Sequence, residues 1–125
     1  MTDTEQAMFM VYESVKNRIN CSFEQFSDAV QSWNFVPLKE NGNVIGGVMQ
    51  KANELHIGYG KKAKSSILRH IRKPLQNAIK DYGFAETFVQ EDNQRGLDFC
   101  KRLNFVEISR DSGRILLRCY RTKYA

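Results

Sequence analysis

The sequence predicts an α+β domain built on a central, mostly antiparallel sheet, with element order ααβββαβαββ. Three observations carry this. Two stretches of helical period, each opened by a capping pair, precede any strand. A run of β-rich segments divided by Asn41-Gly42 follows, and after a long helical pattern the chain alternates strand, helix and hairpin to its end. At 125 residues the chain is long enough to bury a two-layer core without disulfides, and it is expected to form one domain over residues 1–125.

Met8, Val11, Tyr12, Val15 and Ile19 recur at helical spacing over residues 4–19, with Thr2 and Glu5 placed to cap them. Ser22 and Gln25 repeat the capping pair, and Phe26, Ala29, Val30 and Trp33 are expected on one face of a second helix. Asn41-Gly42 supplies the positive φ angles of a tight hairpin, so FVPLKENGNVIGGVMQKANELHIGY reads as three antiparallel strands. Ile67, Leu68, Ile71, Leu75, Ala78, Ile79 and Tyr82 mark one side of a long helix, which Pro74 should kink or weaken and Gly83 should stop. The strand ETFVQ, a helix with Leu97, Phe99 and Leu103 apolar, and a hairpin around DSG complete the chain.

The apolar share of 42% and charged share of 26% are globular values and exclude a disordered chain. No apolar run approaches the length of a membrane helix, and MTDTEQ lacks the features of a secretory signal, so a cytoplasmic location is expected. Cys21, Cys100 and Cys119 are odd in number and show no CxxC spacing, which disfavours a disulfide scaffold or a metal site. The net charge is +5, and from Leu55 to Lys80 there is no Asp or Glu, while Lys61, Lys62, Lys64, Arg69, Arg72, Lys73 and Lys80 fall there. Such a stretch is either a solvated face or a surface for phosphates.

The segment NQRGLDFCKRLNF, residues 93–105, resembles the NxxAxxFYEKLGF pattern of the GNAT superfamily of acyl-CoA N-acetyltransferases. Asn93, Gly96, Phe99, Leu103 and Phe105 match at the correct spacing, and the element order agrees from about Val44 onward. The resemblance implies helices on both faces of the sheet, a leading strand reduced or missing, and a splayed strand pair that receives the pantetheine arm of acetyl-CoA. It also implies a phosphate loop at the start of the long helix, which here reads Gly60, Lys61, Lys62, Ala63, Lys64, Ser65 and Ser66, with lysines at two glycine positions. Asn93 and Asn104 are expected to cap and turn the short helix, Asn93 lying within the cofactor site.

The family's acid is a Tyr after the motif Phe, a position held here by Cys100. A thiol can donate a proton, and it can equally be a small core residue. Glu54 and His56 stand on the strand that commonly supplies a base, and Tyr120 or Tyr124 is a second candidate acid. The implied acceptor is an amine of a protein or small molecule. The GKKAK stretch on a short body is also similar to small GNAT-like proteins of tailed bacteriophages, which implies a catalytically silent protein of head assembly or the virion, with phage structural proteins as partners. A nucleic-acid partner ranks last, because aromatics are not interleaved with the lysines.

Overall fold

A computed structural model describes residues 1–59 and 67–121. The element order is α1 (Asp3–Ile19), α2 (Phe23–Ala29), β1 (Asn34–Glu40), β2 (Asn43–Lys51), β3 (Glu54–Tyr59), α3 (Ile67–Tyr82), β4 (Ala85–Gln90), α4 (Gln94–Arg102), β5 (Val106–Asp111) and β6 (Arg114–Cys119). The strands follow the order β1-β2-β3-β4-β6-β5 in one six-stranded sheet. Pairing is antiparallel for β1 with β2, β4 with β6 and β5 with β6, and parallel for β3 with β4. The chain divides into two compact units, Met1–Lys51 with His56–His70, and Ala52–Leu55 with Ile71–Ala125.

In the first unit, Thr2 Oγ1 accepts the Glu5 N–H at 3.1 Å and starts α1. The pair is half a capping box, because the Glu5 carboxylate takes the Thr2 hydroxyl, not its backbone N–H. Ser22 and Gln25 form the complete box, each side chain accepting the other's N–H. The second helix is shorter than its apolar period suggests. It ends at Ala29, and Trp33 lies in the turn before β1, its N–H bonded to the Val30 carbonyl.

Helix α1 lies almost on the backbone of the sheet. A Cβ at Gly47 would sit 2.8 Å from Ala7 Cβ, and one at Gly58 would sit 2.5 Å from Val11 Cα. Glycine at these two positions sets the helix–strand distance, and Ala7 and Val11 join Phe26, Val30, Phe35 and Val44 in one core. Asn41 (φ 53°) and Gly42 (φ 81°) make the tight turn between β1 and β2.

In the second unit, α3 continues through Pro74 to Tyr82, and Gly83 follows with φ 86°. Its buried stripe is Ile71, Leu75 and Ala78, while Tyr82, expected on that face, is 51% exposed. Strand β6 alternates Ile115, Leu117 and Cys119 into the core with Leu116 and Arg118 outward, and it pairs with β4 from Ala85 opposite Cys119 to Gln90 opposite Arg114. Strand β5 is exposed along its length and shifts register between Glu107 and Ser109. Ser112 (φ 54°) and Gly113 (φ 78°) turn it into β6.

Candidate functional site

The motif helix α4 is fixed at both ends by its own residues. Asn93 Oδ1 accepts the Gly96 N–H at 3.1 Å, so the side chain singled out for the cofactor site serves as the helix cap. Any Cβ at residue 96 would fall 2.5 Å from Asn93 Nδ2 and 3.2 Å from Val89 Cγ1, which explains the small residue in the motif. At the other end, Asn104 adopts φ 75°, its N–H bonds to the Lys101 carbonyl at 3.0 Å, and the Phe105 N–H bonds to the Cys100 carbonyl at 3.0 Å. That pair of bonds is a Schellman motif, with Asn in the left-handed position usually held by Gly. Asn104 Nδ2 also donates to the Arg121 carbonyl at 2.7 Å.

Cys100 lies on the buried stripe of α4 with Leu97 and Leu103. Burial, and then the neighbouring Cys119, push its thiol up to about 12. Cys119 Sγ lies 3.4 Å from the Leu103 carbonyl, placing the C-terminal end of α4 against the inward face of β6. A thiol in this setting stays protonated and shielded throughout the neutral range, as a packing residue would.

Glu54 and Tyr120 belong to a polar row across the second unit. Glu54 on β3 is opposite Glu86 on β4, and Glu86 is opposite Arg118 on β6. Arg118 Nε donates to Glu86 Oε1 at 2.9 Å, and Arg118 is held still more firmly in its charged form by a hydrogen bond with Tyr120, the larger cause, and then by Glu86. The Arg118 guanidinium lies 4.8 Å from the centroid of Phe84, against which Tyr120 packs at 5.7 Å. Tyr120 is 52% exposed and so open to solvent. Glu86, Arg118 and Phe84 were not singled out by sequence; the strand register that aligns them is a nonlocal property.

Among the described residues the β3–β4 pairing is registered at one position, Glu54 opposite Glu86, with the Glu86 N–H also bonded to the Asn53 carbonyl at 2.7 Å. Against β6, by contrast, β4 is registered from Ala85 to Gln90.

In the first unit His56 is half-buried, and its ring packs against Trp33 at 5.7 Å between centroids. Lys51 Nζ lies 5.9 Å from the centroid of the same indole. The expected phosphate-loop residues Gly60, Lys61, Lys62, Ala63, Lys64, Ser65 and Ser66 lie outside the described residues, as does Tyr124. Both flanks of that loop are described. Tyr59, just before it, has its hydroxyl raised first by burial and then by the Glu40 carboxylate. His70, just after it, has Nε2 buried 3.8 Å from Glu40 Oε2. Arg69, Arg72 and Lys73 are exposed on the first turns of α3.

Among the described residues there is no group of three His, Cys, Asp or Glu side chains that could hold a metal ion, and no helix is long and apolar enough to cross a membrane.

No family model matches the chain, and no curated protein matches it in sequence. Its fold, however, is shared with solved acetyltransferases. It is similar to the ribosomal-protein-alanine N-acetyltransferase from Brucella melitensis at TM-score 0.69, with 10% identity over 97% of each chain. Its similarity to the PaiA N-acetyltransferase from Thermoplasma acidophilum, solved in complex with coenzyme A, has TM-score 0.62 and 14% identity, over 94% of this chain and 90% of that one. A GNAT family acetyltransferase from Elizabethkingia anophelis, solved with acetyl-CoA bound, matches at TM-score 0.64 and 14% identity, over 88% of this chain and 90% of that one. The fold is therefore the GNAT acetyltransferase fold.

Proposed function

We propose that the protein is an acetyl-CoA-dependent N-acetyltransferase acting on a primary amine. The observation that carries this reading is the β3–β4 pairing, registered at Glu54 and Glu86 alone among the described residues, in a fold shared with acetyltransferases solved with coenzyme A. A strand registered fully on one side and at one position on the other suits the pantetheine arm, whose amides bond to strand backbone. The segment from Gly60 to Ser66 takes the phosphates in this reading, with its lysines adding charge at a helix start.

Chemistry requires a base for the acceptor ammonium and an acid for the departing thiolate. His56 and Glu54 are the proposed bases, and Tyr120 the proposed acid, since it is exposed and packs on Phe84 beside Arg118. Cys100 is assigned to packing because its thiol is buried.

Calorimetric titration with acetyl-CoA tests the proposal. Binding should raise the melting temperature, with stabilisation of about 2.7 kcal/mol at a hundredfold excess over Kd, and Lys62→Glu should remove the effect. Absence of any shift at millimolar ligand refutes the proposal. The reading as a silent assembly protein of a bacteriophage rests on the GKKAK stretch, and co-purification with capsid or portal proteins tests it.

A further inference from the structure

The outward face of β4 and β6 carries one arrangement twice. Arg118 stands opposite Glu86 and sets its guanidinium over the ring of Phe84, 4.8 Å from the centroid, while Arg114 stands opposite Gln90 and lies over Phe88 at 4.0 Å. Each guanidinium rests on the phenylalanine two residues before its registered partner, the diagonal neighbour on that face. The two differ in what answers the charge. Arg118 Nε bonds to the opposite residue, Glu86, at 2.9 Å, whereas the residue opposite Arg114 is an uncharged amide. Asp111, the neighbour of Arg114 on β5, accepts the Ser112 hydroxyl at 3.3 Å, and among the described residues no carboxylate lies within ion-pair distance of Arg114. Arg114 is also exposed. An aromatic face holds a guanidinium through its quadrupole and leaves the N–H donors unspent.

We propose that Arg114, held on Phe88, is an anion site for the acceptor, taking an external carboxylate as Arg118 takes Glu86. The acceptor is then an amine that carries a carboxylate, as at the start of an acidic peptide. This rests on the acetyl-CoA reading above, in which Glu54 is a base for the acceptor ammonium. Glu54 is registered with Glu86, and Phe88 follows two residues along β4 on the same face. Two residues of strand span roughly 7 Å and one strand spacing about 4.8 Å, so the backbone positions of base and anion site lie about 8 Å apart. An α-amino acid, with amine and carboxylate on one carbon, is too short for that span. A terminal amine with an acidic side chain one or two residues on suits it. The guanidinium fork matches the two oxygens of a carboxylate. A doubly charged phosphate suits the face less, because Glu54, Glu86 and Asp111 stand on it as well.

The test offers the full chain, with acetyl-CoA, the tripeptide amides glycyl-alanyl-glutamate and glycyl-alanyl-glutamine, which differ in one charge. The glutamate peptide should show a KM about fivefold lower, the upper range for an exposed ion pair. Arg114→Gln should erase the difference, and Arg114→Lys, which keeps the charge without the fork, should retain part of it. A second readout needs no turnover. In a proton–nitrogen correlation spectrum, the arginine Nε–H resonance that Arg114→Gln removes should shift on titration with the glutamate peptide and hold still with the glutamine peptide. Calorimetric heat with acetyl-CoA, together with either a stationary resonance or a KM ratio that survives Arg114→Gln, overturns this inference alone. Absence of that heat overturns the proposed function, and the acceptor role of Arg114 with it.

Discussion

Whether Cys100 is a core thiol or a reacting one can be decided by stability against pH. Burial raises the folded-state thiol to about 12, whereas an unfolded cysteine ionises near 8.5. A group whose folded pKa is raised contributes stability that is complete below the unfolded value and is lost as pH rises toward the folded one, here between about 8.5 and 12. The loss is about 1.4 kcal/mol per pH unit within that window, and so on the order of 2 kcal/mol at pH 10. Cys100→Ala removes this dependence and costs about 1 kcal/mol at pH 7.5, the scale of one small buried apolar group. The stability order should therefore cross, with the wild type ahead at pH 7.5 and the variant level or ahead at pH 10. Cys119, also raised by burial, is present in both proteins and cancels in the difference. Urea unfolding followed by far-UV circular dichroism at the two pH values measures the crossing. A gap that stays constant between them would mean that the thiol is solvated, and the packing assignment would fail. If acetyl transfer is detected, the variant should retain it per folded molecule, whereas a catalytic thiol would lose it outright.

The close approach of α1 to the sheet predicts that Gly58→Ala destabilises by roughly 1–3 kcal/mol, because its Cβ meets the Val11 backbone at 2.5 Å; a chemical denaturation midpoint unchanged from wild type would contradict it. At the end of α4, Asn104→Ala should cost about 1 kcal/mol more than Asn104→Gly, since the φ of 75° suits Gly and penalises Ala; thermal melts of the two variants, compared directly, check the order. Ser22→Ala removes the hydroxyl of the capping box and should cost about 1 kcal/mol in the same assay.

Features set by neighbouring residues were legible in the sequence. The Ser22–Gln25 box, the Asn41-Gly42 turn and the left-handed Asn104 all occur where local chemistry placed them, because each depends on contacts within a few residues. The end of α2 was not legible. Trp33 continues the apolar period of the helix, yet it falls in the turn before β1, and its ring packs against a residue of β3 more than twenty positions away, His56. Gly47 and Gly58 read as ordinary strand residues, since the need for a missing Cβ exists only once α1 crosses them. At the candidate site the motif columns identified Asn93 and Gly96, whose roles are local. They drew attention to Cys100 for its column, whereas its spacing from Leu97 and Leu103, three residues either way, already placed it on the buried stripe.

The two-residue period of β6 then separates the candidate acids. Cys119 points to the core face, against which Leu103 and the end of α4 pack, so Cys100 belongs to that side. Arg118 points the other way, to Glu86 and Phe84, and Tyr120 packs against the same Phe84. Glu54, opposite Glu86, lies in the same row as Arg118. A proton donor and a proton acceptor that act on one substrate must share a face, and in the second unit that condition is met by Tyr120 and Glu54 and not by Cys100. In the proposed reading, moving the acid from the motif column to the strand end rests on the alternation of a strand whose register is set by its pairing with β4.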